Sequence, residues 1–103
     1  MARDDLINRE EDISQAAHCI KAMAHPLRLK ILCTLGETRA SVLEIVDACG
    51  TTQSNISQHL AILKDKGILE CEKESNRVYY YIDDKRMLKL IALMREVFCS
   101  ENH

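Results

Sequence analysis

Apolar residues recur with a helical period in five stretches of this chain and with a period of two across one hairpin. Ile13, Ala16, Ala17, Ile20 and Met23 mark one side of a first helix. Ala24-His25-Pro26 breaks that pattern, and Pro26 suits the opening position of a second, short apolar helix over Leu27–Leu35 that Gly36 stops. Ser41-Val42-Leu43-Glu44 is a capping-box pattern, with Val42, Ile45 and Val46 as the buried side of a third helix. Gly50 permits a tight turn into Thr52, the N-cap of a fourth helix that Gly67 ends. In that helix Ile56, Leu60 and Leu63 stand at i, i+4 and i+7, a single apolar stripe.

The period then changes. Ile68–Lys73 and Arg77–Ile82 read as two strands around the polar turn Glu74-Ser75-Asn76. Val78, Tyr80 and Ile82 would face one side, and Arg77, Tyr79 and Tyr81 the other. Asp83 or Asp84 caps a last helix reaching about Cys99, with a long stripe of Met87, Leu90, Ile91, Met94, Val97 and Phe98. Residues 1–10 are polar and expected to fray. The order α-α-α-α-β-β-α is mainly α with a β-hairpin: one winged helix-turn-helix domain over residues 1–103, carrying an extra helix at each end. The two terminal stripes hold more apolar surface than a three-helix core covers, so a second copy is expected against them.

The fourth helix carries the chemistry. Away from its apolar stripe stand Gln53, Ser54, Ser57 and Gln58, whose amides and hydroxyls suit base edges and phosphates in a major groove. A helix needing only solubility would carry Lys and Glu there, although by itself the stretch also fits an ordinary amphipathic surface helix. Lys64 is expected at a phosphate, His59 at a phosphate or bordering the core, and Arg77 in the wing at the backbone or minor groove.

Charge tempers this picture. The net charge is −2, whereas nucleic-acid-binding domains are commonly basic. The acidic residues, however, crowd Asp4, Asp5, Glu10, Glu11 and Asp12, while Lys64, Lys66, Lys73 and Arg77 lie in or after the reading helix. A module that keeps the fold without binding DNA is the competing reading that the acidic balance favours. Five cysteines, an odd number, with no apolar N-terminal run and no stretch near bilayer length, point to a reduced cytoplasmic setting and no membrane partner. Catalysis is not expected. There are only three glycines and no phosphate loop, and the adjacent His18 and Cys19 would point about 100° apart on a helix. No cofactor is called for.

Three segments, in this order, resemble the ArsR/SmtB family of bacterial repressors. Ala24-His25-Pro26-Leu27-Arg28-Leu29-Lys30-Ile31-Leu32 is similar to the opening of the family's second helix, and Gln53-Ser54-Asn55-Ile56-Ser57-Gln58-His59-Leu60 to its recognition helix. Asn76-Arg77-Val78-Tyr79-Tyr80-Tyr81 is similar to the second strand of its wing. The resemblance implies a homodimer held by the first and last helices, bound to a pseudo-palindromic double-stranded operator and released by an inducer.

The inducer site differs among family members. The arsenic and cadmium sensors carry a Cys-x-Cys pair in the third helix, where this chain reads Glu44-Ile45-Val46-Asp47-Ala48-Cys49. The zinc sensors use Asp and His of the last helix, and Lys85 to Phe98 holds no His. No metal site is therefore assigned. Cys33 in the second helix and Cys99 in the last resemble the family's dithiol subgroup, which implies release when reactive sulfur species or oxidants link the two thiols. The alternative is a repressor responding to a soft metal (arsenite, copper, cadmium or zinc) through Cys19, Cys33 or Cys99. Cys49 and Cys71 are expected to pack as small hydrophobes, and Cys19 fits either packing or an accessory thiol.

Overall fold

The computed structural model describes residues 10–99, the side chain of Cys99 excepted. Helices α1 (Glu10–Met23) and α2 (Pro26–Leu35) lead to strand β1 (Ala40–Ser41), then α3 (Val42–Cys49) and α4 (Gln53–Asp65). Strands β2 (Glu70–Glu74) and β3 (Arg77–Tyr81) follow, and α5 (Lys85–Cys99) closes the order. The five expected helices and the hairpin are present, and α1 begins three residues earlier than its apolar period, on the acidic turn Glu10, Glu11, Asp12. That turn places carboxylates at the positive end of the helix dipole. The stretch expected to fray lies, but for Glu10, outside the described residues.

Local chemistry sets most boundaries. His25 is the N-cap of α2, in an extended conformation, and its Nδ1 accepts the Leu27 N–H at 3.1 Å. Pro26 behind it needs no hydrogen-bond partner for its nitrogen. At α3 the capping box closes both ways: Ser41 Oγ accepts the Glu44 N–H at 3.3 Å, and the Glu44 carboxylate accepts the Ser41 N–H at 2.8 Å. Gly50 then turns in the left-handed region (φ 73°), and Thr52 Oγ1 caps α4 by accepting the Asn55 N–H at 3.1 Å. Asp84 caps α5, accepting the Arg86 N–H at 2.8 Å and the Arg86 guanidinium at 2.9–3.1 Å. These bonds hold the Asp84 carboxyl down at about 2.

Three strand boundaries differ from the alternation: β3 ends at Tyr81, one residue before Ile82, and both ends of β2 shift. Ile68 and Leu69 are not in the first hairpin strand. Their N–H groups donate to Leu63 O at the end of α4, at 3.0 and 3.3 Å, and both side chains are buried. Their hydrogen bonds thus finish a helix, while their side chains seal the core beneath it. The hairpin turn is also shorter, because Glu74 still pairs with Arg77 and only Ser75-Asn76 turn. Ser75 has φ 59°, the one non-glycine residue with positive φ among the described residues. The three-stranded antiparallel sheet runs β1-β3-β2, with Ala40 opposite Tyr80 and Ser41 opposite Tyr79.

The core lies between α2, α3 and α4: Ile31, Leu32 and Leu35 meet Ile45, Ile56, Leu60 and Leu63. The terminal helices touch it only in part. From α1 come Ala22 and Met23, and from α5 Ile91 is the fully buried side chain. Ile13, Ile20, Leu90, Leu93, Val97 and Phe98 stay exposed, Phe98 at 77%. All but Leu93 belong to the two expected stripes, whose apolar surface the core leaves uncovered. Among the described residues no helix is long and apolar enough to cross a membrane.

Candidate nucleic-acid interface and thiol cavity

Helix α4 follows α3 across the Gly50–Thr52 turn, the geometry of a helix-turn-helix. With Ile56, Leu60 and Leu63 fully buried, the helical period turns Gln53, Ser54, Ser57, Gln58 and Lys64 outward, and all five are exposed. They form one polar face, with Gln53 in the first turn. The capping Thr52 and the Asn55–Thr51 side-chain bond at 3.1 Å fasten the loop before it.

Of the two places expected for His59, at a phosphate or bordering the core, it takes the second. It is 9% exposed and turned inward. Its Nδ1 lies 3.1 Å from the Arg28 guanidinium, and its ring stacks obliquely on that of His25, centroids 4.5 Å apart. Arg28 can only donate, so His59 Nδ1 accepts. Burial pushes the His59 imidazole below its usual pKa, and the neighbouring His25 and Arg28 push the same way. The physical reason is position: His59 follows Ile56 by three residues, on the side of the helix that faces α2. Arg28 was not among the residues expected to matter. It also donates from Nε to the Ala22 carbonyl at the end of α1, so one side chain binds three helices together.

In the wing, Arg77 is exposed beside the turn and lines a shallow recess of about 160 Å³ with Ser41, Val42, Leu43 and Val78. Its positive charge assists the Ser41 N–H and hydroxyl in holding the Glu44 carboxyl below its ordinary value. On the face carrying Tyr79 and Tyr81, the Arg39 guanidinium lies 5.6 and 5.4 Å from the two ring centroids and pairs with Glu72. Burial pushes the Tyr81 phenol up, as do Glu72, Asp83 and Glu70. Arg39 therefore braces β3 against β2, a role the alternation of β3 alone does not announce.

The thiols sort by burial. Cys49 is buried in the core, as expected. Cys19 is half-buried and its Sγ faces the Lys66 carbonyl at 3.8 Å, packing α1 against the end of α4. Cys71 is half-buried on β2. Cys33, also half-buried, lines a cavity of about 440 Å³ between α2 and α5 with Pro26, Leu29, Lys30, Met94, Arg95 and Phe98. A second cavity, about 380 Å³, adjoins it and shares Cys33 and Arg95. Cys99 is the last residue of α5, directly after Phe98. Among the described residues no three His, Cys, Asp or Glu side chains come together in a way suited to a metal ion.

Comparison with known proteins agrees with this architecture. The description "Bacterial regulatory protein, arsR family" matches residues 25–70, from the cap of α2 to the start of β2. The biofilm growth-associated repressor of Xylella fastidiosa is 30% identical, covering 98% of this chain and 86% of its own length. The solved structure of HlyU from Vibrio cholerae superposes with a TM-score of 0.83 at 34% identity, over 88% of this chain and 99% of that one. A Mycobacterium bovis domain described as a homodimeric winged helix-turn-helix gives a TM-score of 0.80 at 30% identity, over 92% of this chain and 88% of that one. With the motif, the wing and these relatives in agreement along nearly its whole length, the chain belongs to the arsR family of DNA-binding bacterial regulatory proteins.

Proposed function

We propose that this chain represses transcription as a homodimer on a pseudo-palindromic operator, and that linking Cys33 to Cys99 releases it. Gln53, Ser54, Ser57 and Gln58 meet the major groove, Lys64 a phosphate, and Arg77 the backbone or minor groove beside the wing. The exposed apolar residues of α1 and α5 meet their counterparts in the second copy. The Xylella fastidiosa relative is named a repressor, while Vibrio cholerae HlyU is named a transcriptional activator. Release by a thiol signal favours the repressor reading, since loss of binding then turns a response on.

The observation that carries the thiol reading is the cavity at Cys33, whose far wall, Met94, Arg95 and Phe98, is the last stretch of α5 before Cys99. With a hydropersulfide RSSH as oxidant, one cysteine thiolate attacks the outer sulfur and forms Cys–S–SH, with RS⁻ leaving. The second thiolate attacks the first cysteine's Sγ, forming the disulfide and expelling HS⁻. The sulfane sulfur is reduced and the two thiols are oxidised. A covalent tie between α2 and α5 changes how the dimer surface sits relative to α4. A differential stability of about 1.4 kcal/mol shifts operator occupancy tenfold.

The test is operator binding by fluorescence anisotropy, on the duplex upstream of the protein's own gene, with reduced protein and after inorganic polysulfide. Tight binding when reduced, loss on treatment, and no loss in Cys33→Ser are expected. Mass spectrometry should show two thiols consumed and no bound metal. Unchanged binding after treatment would eliminate the thiol switch, and a transcription assay on the same promoter reads the direction of control.

A further inference from the structure

We infer that Arg28 is a positioning residue for operator recognition: by joining the end of α1 to His59 of α4, it sets the angle of the reading helix relative to the dimer-forming helices. The inference rests on the operator-binding reading above but not on the thiol switch. In this role Arg28 acts through His59 of α4.

Apolar packing also holds α4 in place. Ile56, Leu60 and Leu63 pack on Ile31, Leu32, Leu35 and Ile45. Apolar contact is strong but non-directional, and it leaves a helix some freedom to roll or slide on its neighbours. Hydrogen bonds to a guanidinium do not. Arg28 offers donors in a rigid planar fork, with Nε committed to Ala22 O and one terminal nitrogen to His59 Nδ1 at 3.1 Å. The ring of His25, the cap of α2, also packs on the His59 ring, 4.5 Å away and tilted by 40°. The roll of α4 is thus referred to the last turn of α1. No other side chain among the described hydrogen bonds joins α4 to α1 and α2 together.

This joint matters because α1 carries Ile13 and Ile20 on its exposed apolar side, while α4 carries the polar reading face. In a two-fold dimer the reading helices must enter successive major grooves about one helical turn apart. A roll of α4 within one protomer is repeated by symmetry in the other, so an error of angle counts twice at the operator. An arginine that links the dimer-forming helix to the reading helix sets the half-site spacing the dimer accepts. A side chain that merely added stability would weaken binding to every operator alike.

The experiment uses the full-length reduced protein and a set of operator duplexes whose half-site spacing is native or altered by one or two base pairs, together with a single half-site. Affinities are compared for wild type, Arg28→Met, Arg28→Lys, His59→Leu and His59→Gln, with circular dichroism confirming the fold of each. Wild type should discriminate native from altered spacing by about tenfold or more, on the scale of one charge-assisted hydrogen bond. Arg28→Met and His59→Leu should flatten that discrimination while leaving half-site binding within about twofold. His59→Gln, whose amide oxygen can still accept, should restore most of it. Arg28→Lys keeps the charge but loses the fork, and should behave like Arg28→Met; it serves in its place if the methionine variant does not fold.

An equal loss of affinity at every spacing would overturn the inference, as would full spacing discrimination in the folded Arg28 variants. If wild type binds no duplex from its upstream region, the operator reading falls and takes this one with it.

Discussion

The rings of His25 and His59 stand 4.5 Å apart, tilted by 40°, with the Arg28 guanidinium 3.1 Å from His59 Nδ1. A protonated His59 would turn that acceptor into a donor facing a cation. The fold therefore disfavours the imidazolium, and the His59 pKa is lowered, first by burial and then by His25 and Arg28. The unfolded chain takes up this proton near the ordinary histidine value of about 6.5, while the folded chain resists. The unfolded state binds more protons in that window, so stability is fully present above about pH 6.5 and declines as the pH falls below it. Urea midpoints measured from pH 8 to pH 5 should decline in wild type and decline less in His59→Gln. Parallel curves for the two proteins would count against the assignment.

The reading face is expected to tolerate truncation structurally and not functionally. Gln53 and Ser57 are exposed, so a Gln53→Ala, Ser57→Ala double variant should keep its helical signal and unfolding midpoint. Operator affinity should drop by about tenfold to a hundredfold, the range of one or two lost base contacts. Retained affinity would favour an interaction module that keeps the fold without using this face for DNA.

Leu93 is 57% exposed on α5, away from the Ile91 side that enters the core. A Leu93→Glu change adds a charge to the face assigned to the second copy, where burying it unpaired costs several kcal/mol. Light scattering should find wild type as a dimer and the variant as a folded monomer that binds a half-site but not the paired operator. A variant that remains dimeric would move the interface elsewhere.

Ser75 bends the wing at φ 59°, a conformation that costs an L-residue about 1 kcal/mol and glycine nothing steric. Ser75→Gly should raise unfolding stability by about 0.5 kcal/mol, the relieved strain less the added freedom of the unfolded glycine. Denaturant unfolding checks the sign. A loss of stability would show that the serine contributes something its backbone angle does not reveal.

Much of this protein is legible in the order of its residues. Ser41 with Glu44, Thr52 with Asn55, and Pro26 behind His25 are local signals, because helix ends are satisfied by groups within about four residues. The stripe of Ile56, Leu60 and Leu63, and with it the outward face of Gln53, Ser54, Ser57 and Gln58, follows from the helical period alone. The surplus of apolar positions on the two terminal helices is a matter of counting, and the exposed Ile13, Ile20, Leu90 and Val97 bear it out.

Tertiary structure decided what depends on partners distant in sequence. Strand β1 is two residues long, too short for any period, and exists because Tyr79 and Tyr80 offer it an edge. Ile68 and Leu69 read as the start of the strand they precede, yet their N–H groups are taken by Leu63 and their side chains by the core. His59, polar and next to a polar face, reads as a phosphate contact or a residue bordering the core, and Arg28, thirty-one residues earlier, decides between them. Periodicity reports which side of an element is wet, since that depends only on the element's own geometry. Which polar groups meet inside depends on how elements dock, and no local pattern carries that information.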